Sequence, residues 1–276
     1  MPSSNALFSS ALSSKASLDL KQEESNSSPI VAIMKYSTVL LAAAGLAAAA
    51  PSNISPRFGR RNGAHSLPNQ RNTKYPQYSS NWAGAVQIGK GFNKVTGTIT
   101  VPRASGGANA AASAWVGIDG DTCQTAILQT GVSFYGDGSF DAWYEWIPDY
   151  SYSFSGFNLK VGDVIRMTVD ATSKTKGVAT LENLTTGKSV SHTFTNTPST
   201  LCETNAEWIV EDFEEGSSLV PFANFGSVTF SNATASGSSG TITPSGSTII
   251  DIESSSGKVL TDCSASSSGV TCNYTG

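Results

Sequence analysis

Apolar and polar positions alternate along the second part of the chain, from about Tyr78 onward. The clearest case is the stretch 112–119, in which small aliphatic residues take turns with the polar and aromatic set Ser113, Trp115, Gly117 and Asp119. A period of two places these two sets on opposite faces of a β-strand. The stretch therefore predicts a half-buried strand whose open face is polar and aromatic.

Short stretches of the same kind recur and are separated by Gly, Ser, Asn and Asp. The predicted strands are 82–88, 94–101, 112–119, 124–134, 140–146, 164–170, 177–184, 189–195, 206–213, 227–231, 247–253 and 270–274. No stretch after Tyr78 has a helical period, and the Ser/Gly-rich segment 235–240 is predicted to be a long hairpin loop. This pattern predicts one all-β domain over residues 75–276, an antiparallel sandwich or barrel.

The N-terminal part of the chain has a different character. Lys35 and the apolar run 39–50, which ends in small residues, have the pattern of a secretory signal peptide at 34–50. The run is too short for a transmembrane helix. Residues 1–33 are polar and Ser-rich, and we interpret them as an extension or a wrongly assigned start upstream of Met34. A disordered cytosolic tail before an internal anchor is the alternative.

Charge is distributed unevenly along the chain. Segment 51–74 has no acidic residue and five basic ones, Arg57, Arg60, Arg61, Arg71 and Lys74. From Tyr75 onward nine basic and eighteen acidic residues give a net charge of −9. We interpret 51–74 as a basic propeptide that lies on an acidic groove, with Arg60-Arg61 as a processing site. A disordered linker is the alternative. The acidic domain argues against nucleic acid or an anionic membrane as a partner.

Four cysteines follow the signal-like segment, and an even number in a secreted chain predicts two disulfides. The turn-like segment 264–269 separates Cys263 from Cys272, which favours a local bridge between these two. Cys123 would then pair with Cys202. The two other connectivities stay open on this argument.

Histidines are rare in this chain. The chain has only His65 and His192, and neither lies in a motif. A histidine-based triad or a zinc site is therefore not expected, and we expect no metal or cofactor. A hydrolase built from this chain would work with carboxylates and amides, such as Glu211 on the strand 206–213 and Gln129 on the strand 124–134.

Four long motifs resemble one known family. They are WVGIDGDTCQTAILQTG at 115–131, AWYEW at 142–146, LENLTTG at 181–187 and TNAEWIVEDFEE at 204–215. These resemble the fungal glutamic peptidases, the eqolisins, and the similarity runs from about Ser80 to Tyr274. The resemblance implies a two-sheet antiparallel sandwich of the jelly-roll or concanavalin type, with a concave substrate groove. It also implies a catalytic dyad of Gln129 and Glu211, and a disulfide that Cys123–Cys202 would match.

After Glu215 the typical family member carries an additional cysteine-containing loop, whereas this chain reads GSSL at 216–219. The departure lies away from the dyad motifs and concerns the details of the substrate subsites. The resemblance further implies a secreted endopeptidase whose partners are protein and peptide substrates and its own propeptide. We expect this enzyme to be a monomer.

The dyad also makes chemical sense. An ionised Glu211 can take a proton from water and return it to the leaving amine, and the Gln129 amide can donate to the developing oxyanion. Further residues are expected to line the groove because they lie on the open faces of their strands or beside them: Trp115, Asp119, Asp141, Trp143 and Glu145.

Two readings compete with a peptidase. A glycoside hydrolase would use Glu145 and Glu211 as its two carboxylates, with tryptophans stacking on sugar. A carbohydrate-binding module would use the same aromatic face without catalysis. Gln129 distinguishes the peptidase hypothesis from these two hypotheses, because neither of the two needs this residue. A pepsin-like peptidase is disfavoured because no Asp-Thr-Gly or Asp-Ser-Gly occurs in the chain.

Overall fold

The structure is a computed structural model, and it describes residues 63–69 and 77–276. The interpretations of 1–33 and 34–50 concern residues outside this range. Residues 51–62 and 70–74 of the proposed propeptide, including Arg60-Arg61, also lie outside this range, as do residues 75–76. Within the described residues, no helix has the length and apolarity needed to cross a membrane.

Eighteen strands and no helix form within the described residues. The strands are β1 (Gln77–Ser79), β2 (Trp82–Ile88), β3 (Phe92–Thr100), β4 (Ala111–Ile118), β5 (Ile127–Tyr135), β6 (Phe140–Ile147), β7 (Tyr152–Ser153), β8 (Val164–Ser173), β9 (Lys176–Asn183), β10 (Lys188–Phe194), β11 (Asn205–Glu211), β12 (Glu214–Glu215), β13 (Ser218–Leu219), β14 (Ser227–Gly237), β15 (Gly240–Ile242), β16 (Thr248–Ile252), β17 (Thr261–Ser266) and β18 (Gly269–Tyr274).

The strands form two large sheets. The first has the order β1-β16-β2-β11-β4-β5-β6-β7, and the second has the order β10-β9-β8-β3-β14-β18-β17 with β15 attached to β14. Strands β12 and β13 make a separate small hairpin. Strand β1 runs parallel to β16, while the long strands pair in the antiparallel sense. The predicted all-β, two-sheet architecture is confirmed.

The main apolar core lies between the two sheets. Val116 and Trp208 reach it from the first sheet, and Met167 and Phe230 reach it from the second. Trp208 Nε1 donates to the backbone oxygen of Thr96 at 2.8 Å, so this deeply buried indole keeps its hydrogen bond. Each large side chain that is fully buried here contributes about 1.5–3 kcal/mol. This core supports β4, β5 and β11 from behind.

A glycine allows two of these strands to pack closely at one point. A Cβ atom at Gly131 on β5 would lie 2.4 Å from the backbone oxygen of Ala114 and 2.5 Å from the Cβ of Trp115. Any other residue would push β5 away from β4. Gly131 therefore leaves room for the indole of Trp115.

Most predicted strands match observed ones to within a few residues, but two regions differ. A hairpin is present at 235–240 as predicted, but its loop is short rather than long. Strand β14 continues to Gly237 and pairs there with β15 and, through two irregularities, with β3. Strand β17 was not predicted, because its sequence is rich in Ser and Thr. It forms by pairing along its whole length with β18.

Two disulfides are present. Cys123, in the loop after β4, is bonded to Cys202, just before β11. Cys263 and Cys272 face each other across the β17–β18 pair. The first bond ties together the chain segments that lead into β5 and β11, so it holds the strands that carry Gln129 and Glu211.

Candidate active site

The functional candidates lie on the face of the first sheet that points away from the second sheet, which we call the outer face. It carries Glu207, Ile209 and Glu211 on β11, Trp115 and Gly117 on β4, Gln129 on β5, and Trp143 and Glu145 on β6. A second apolar cluster, separate from the main core, includes Trp82, Trp115, Trp143 and Ile209. The strict alternation of β4 and β11 therefore places the functional candidates on one face of the sheet and the residues of the main core on the other.

Cross-strand pairing fixes where Gln129 and Glu211 lie relative to each other. Gln129 pairs with Gly117 of β4, and Glu211 pairs with Ser113 of the same strand. Positions 113 and 117 differ by four, so both candidates project from the outer face. Trp115 stands between them on β4.

Glu211 is completely buried and receives several hydrogen bonds. Trp115 Nε1 donates to its Oε2 at 3.0 Å. Ser66 Oγ donates to the same oxygen at 2.8 Å, and the Leu67 backbone N–H donates to Oε1 at 3.3 Å. These donors hold the carboxylate in one orientation and favour its charged form.

Gln129 is also completely buried. Its Nε2 donates to Glu145 Oε2 at 2.9 Å, while its Oε1 has no partner among the described residues. An amide nitrogen has two N–H donors. One N–H therefore serves Glu145, and the second remains for another acceptor on this face.

Segment 63–69 of the same chain covers these groups. Its Ser66 backbone N–H donates to Glu145 Oε1 at 3.4 Å, so Ser66 contacts both Glu145 and Glu211. Asn81 Nδ2 donates to the Leu67 oxygen at 3.1 Å. The segment thus crosses the outer face directly above the candidate dyad.

Both ends of the segment are anchored. His65 exchanges two backbone hydrogen bonds with Glu214 of β12, at 3.1 and 3.0 Å, and its ring lies 4.1 Å from that of Tyr150. At the other end, Asn69 donates from Nδ2 to Asp121 Oδ1 at 2.7 Å and accepts from Gln124 Nε2 at 3.1 Å. An extended peptide is thus bound through its backbone and through selected side chains.

The predicted groove residues have different environments. Trp115, Trp143 and Glu145 lie on the outer face with the candidate dyad, as described above, and all three are fully buried. Asp141, at the opposite end of β6 from Glu145, accepts from Ser153 Oγ at 2.6 Å. It is 5% exposed.

Asp119 differs from the other predicted groove residues in its hydrogen bonds. Its carboxylate accepts backbone N–H groups of residues 202–205, at 2.7 to 3.2 Å, and so binds the chain that leads into β11. The residue has a φ of 68°, because β4 ends at Ile118 and the chain turns there. The alternating sequence pattern of 112–119 extends through Asp119, so it could not predict that the chain turns at this residue.

Two buried acids were missed by the sequence interpretation. Burial raises the pKa of Glu207 well above its usual range, and the charges of Asp119 and Asp121 add to this effect. Burial, followed by the charge of Glu211, raises the pKa of Asp212 to about 8. Glu207 and Glu211 are four residues apart on β11 and therefore lie on the same face, so strand alternation could have predicted the position of Glu207.

One grouping among the described residues has the spacing of a metal site. It consists of Asp119, Cys123 and Cys202. Both sulfur atoms belong to the disulfide, and Asp119 is engaged with backbone N–H groups. These residues do not fit a metal ion, because a disulfide provides no thiolate ligand.

Comparison with known proteins assigns the chain to a family. Residues 80–274 match the Peptidase A4 family. Aspergillopepsin-2 of Aspergillus niger is 57% identical over 226 residues, covering 73% of this chain and 80% of that protein. Scytalidopepsin B of Scytalidium lignicola is 48% identical over 262 residues, covering 87% of this chain and 100% of that protein.

A solved structure gives the same answer. The fold matches that of scytalido-glutamic peptidase with a transition state analog inhibitor, with a TM-score of 0.69 and 50% identity. The match covers 71% of this chain and 98% of the other. The chain belongs to the Peptidase A4 family, the eqolisins, so the resemblance noted in the sequence is confirmed. It is a peptide hydrolase of the glutamic type, and the two carbohydrate alternatives lose their support.

Proposed function

We propose that this chain is the precursor of a secreted, acid-acting endopeptidase in which Glu211 is the general base and Gln129 stabilises the oxyanion. One observation carries the proposal. Segment 63–69, an extended peptide, lies across the outer face and hydrogen-bonds to Glu211 and to Glu145, the partner of Gln129. A substrate peptide bound in the same place would present its backbone to both candidates.

The reaction needs an activated water molecule, a stabilised oxyanion and a protonated amine. Glu211 accepts a proton from water as the water oxygen attacks the carbonyl carbon, and it then returns this proton to the leaving nitrogen. The N–H of Gln129 that Glu145 does not use donates to the carbonyl oxygen as negative charge develops on it. Trp115 holds the Glu211 carboxylate through its indole N–H during both proton transfers.

The same contacts explain why the precursor would be inactive. Ser66 Oγ occupies a hydrogen-bonding position on Glu211 Oε2, which is where the attacking water must bind. The rest of the segment fills the path of a substrate peptide. Segment 51–74 is therefore an inhibitory propeptide, and its removal opens the outer face.

Secretion and acid action are supported by independent features. Two disulfides are typical of proteins from oxidising compartments, and 34–50 has the pattern of a signal peptide. Several buried acids, among them Asp212 and Asp251, have raised pKa values of about 8 and about 6. They are neutral in acid, where their burial costs least.

Three variants test the assignment of roles. Glu211→Gln is expected to abolish peptide hydrolysis while the protein stays folded, because only the base is lost. Gln129→Ala is expected to lower kcat by about 10²–10³ if it removes one oxyanion donor. Glu145→Gln is the matched control. It changes a carboxylate on the same face and is expected to weaken catalysis without eliminating it.

The measurement is the initial rate on a denatured protein at acid pH after removal of the propeptide, with a xylan or β-glucan as a second substrate. Circular dichroism checks that each variant is folded. Full peptidase activity in the Gln129→Ala protein would refute the proposed mechanism even if the chain is a peptidase.

The processing proposal is tested separately. Signal cleavage is expected within 47–50, and the mature N-terminus is expected between Asn62 and Ser79. Mass spectrometry of the secreted, active protein locates both ends. Active protein that still contains the segment from Arg57 to Lys74 in one piece with the domain would contradict the propeptide assignment.

A further inference from the structure

The mechanism above gives no role to Glu207, a buried acid on the outer face. Glu207 lies on β11, completely buried, and neither of its carboxyl oxygens has a partner among the described residues. A buried polar group without a partner is costly, at about 1–3 kcal/mol, and a buried charge costs more. Such a residue on the functional face requires an explanation.

Strand register places Glu207 in one row with the oxyanion candidate. Glu207 pairs with Gly117 of β4, Gly117 pairs with Gln129 of β5, and Gln129 pairs with Glu145 of β6. All four positions belong to the outer face. In this row Gly117, which has no side chain, is the strand position between Glu207 and Gln129.

The Glu207 carboxyl leans over this glycine. A Cβ atom at Gly117 would lie 3.3 Å from Glu207 Oε2 and 2.8 Å from a carbon of the Trp115 benzo ring. Adjacent strands lie about 4.8 Å apart, so two strand spacings separate Glu207 from Gln129. The Glu207 oxygens and Gln129 Oε1 make no direct hydrogen bond to each other, so one water molecule between the two side chains is needed to join them.

The two side chains also complement each other chemically. The Nε2 of Gln129 is turned toward Glu145 on β6, and its Oε1 is the other buried atom of this row without a partner. That oxygen can only accept a hydrogen bond. An ionised Glu207 offers only acceptors, whereas a protonated one offers an O–H donor.

We propose that Glu207 is a positioning residue that acts as a neutral carboxylic acid and donates, through one water molecule, to Gln129 Oε1. This contact and the Gln129–Glu145 hydrogen bond hold the amide at both ends. The amide then cannot flip, and its free N–H stays directed at the developing oxyanion. The inference rests on the proposed function, because it assumes that Gln129 supplies that N–H.

The charged neighbours favour the neutral form. Asp119 and Asp121 approach from the loop after β4, Glu145 lies at the far end of the row, and Glu211 lies on the same strand. From the other side, β2 contributes Val86 opposite Glu207, which carries no charge. Burial raises the pKa of Glu207 well above its usual range, and the two aspartates raise it further. Burial and the neighbouring negative charges thus both favour the protonated form of Glu207.

Two variants separate positioning from simple packing. Glu207→Gln is neutral at every pH and keeps an N–H donor, while Glu207→Leu has a similar size and no donor. In the activated enzyme at acid pH, Glu207→Leu is expected to lower kcat by roughly 3- to 10-fold, the value of one hydrogen bond, with little change in KM. Glu207→Gln is expected to restore kcat and to extend activity to higher pH than the parent. Wild-type kcat in Glu207→Leu, or an equal loss in both variants, overturns the proposal.

Two comparisons guard against indirect effects. In a Gln129→Ala background the Glu207→Leu change is expected to cost nothing further, and an undiminished loss there overturns the proposal. Asp251→Asn is the matched control for a buried acid with a raised pKa that lies outside this row. It is expected to leave the pH profile of kcat unchanged. Thermal unfolding of each variant shows whether a loss of kcat is a loss of folded protein.

A spectroscopic test does not depend on turnover. In the full chain carrying Glu211→Gln, the side-chain ¹⁵N–¹H resonances of Gln129 are expected to titrate as Glu207 ionises at high pH. They are expected not to titrate when Glu207→Gln is added. An identical titration in both proteins overturns the proposal. A different result would refute the proposed function itself: undiminished peptidase activity in the Glu211→Gln protein.

Discussion

At the scale of single residues, the candidate dyad combines one group that ionises with one that does not. The Gln129 amide cannot share a proton with Glu211, so the two avoid the coupled titration of paired carboxylates. Glu211 is the ionisable member of this pair. Its hydrogen bonds from Trp115, Ser66 and Leu67 are all N–H or O–H donors, which favour the carboxylate.

Gln129→Glu tests whether the site needs one ionisable side chain and one that does not ionise. The change keeps the size of the side chain but adds a second carboxyl that can ionise beside Glu145 and near the oxyanion. Once ionised it repels the developing charge, while in the protonated form it can donate one hydrogen bond. Residual activity is therefore expected at lower pH than in the parent. The measurement is kcat against pH, with Glu145→Gln as the control. An unshifted profile would contradict the assigned role of Gln129.

The sequence identified only some of the site residues. The positions of Gln129 and Glu211 followed from long family motifs, whereas their common face became visible only with the strand register of the structure. The turn at Asp119 and the partner of Glu211 in segment 63–69 could not be predicted. A left-handed residue and the register of an extended segment without periodicity depend on tertiary contacts. Glu207 could have been identified by counting back four residues from Glu211.

At the scale of elements, segment 63–69 behaves as a bound peptide. Ser66 is its central contact, because its side chain donates to Glu211 and its backbone donates to Glu145. Ser66→Ala removes only the first of these hydrogen bonds. A hydrogen bond to a charged group contributes about 1.5–3 kcal/mol, so this change is expected to weaken inhibition by the segment roughly 10- to 100-fold.

The measurement uses synthetic peptides covering 51–76 as inhibitors of the activated enzyme. Ser52→Ala in the same peptide is the matched control, because it also removes one hydroxyl. Equal inhibition constants for the Ser66→Ala and unchanged peptides would mean that the contact with Glu211 has no part in inhibition.

Release of the segment is expected to depend on pH and on salt. Glu211, Glu145 and Asp121 accept hydrogen bonds from segment 63–69. The sequence of the proposed propeptide, 51–74, also has five basic residues and no acidic one, whereas the sequence from Tyr75 onward has a net charge of −9. Acid protonates the carboxylates, whereas the arginines and Lys74 stay charged, so the attraction weakens as pH falls. Dissociation of the labelled peptide is measured at several pH values and ionic strengths. A dissociation rate that does not respond to either variable would remove the electrostatic account.

The strand pattern determined most elements because each strand buries one face and exposes the other. The departures occur where this rule weakens. Strand β14 alternates only in part and contains two irregularities against β3, and β17 is polar because it lies at the edge of its sheet. Neighbouring strands stabilise both elements, and local propensity does not encode those neighbours.

At the scale of the whole molecule, the buried acids predict that stability falls as pH rises. The pKa of Asp212 is about 8 and that of Asp251 is about 6, against ordinary values of 3.8. Between pH about 4 and about 8 the folded state keeps protons that the unfolded state has lost. The free energy of unfolding therefore decreases with rising pH, by up to about 1.4 kcal/mol per pH unit for a group such as Asp212.

Two other groups make the free energy of unfolding increase with rising pH. The pKa of His192 is lowered by burial, and the pKa of Glu182 is lowered by its hydrogen bond to Arg166. Both lie near the surface, where such contributions are small. The expected net result is a higher unfolding midpoint at pH 4 than at pH 7, measured on the Gln129→Ala protein to limit self-digestion. Asp212→Asn is expected to flatten this dependence. A midpoint that rises toward neutral pH would contradict the prediction.

The position of segment 63–69 has one more consequence. Only seven residues, 70–76, join Asn69 to Gln77, where the first strand of the sheet begins. A tether this short keeps the segment at an effective concentration on the order of millimolar beside its own site. Even modest intrinsic affinity then keeps the precursor closed. Once the chain is cut between these points, the same contacts have to compete at the actual concentration of the released peptide. Under the proposed propeptide mechanism, a single cleavage followed by dilution of the released peptide is therefore expected to activate the enzyme.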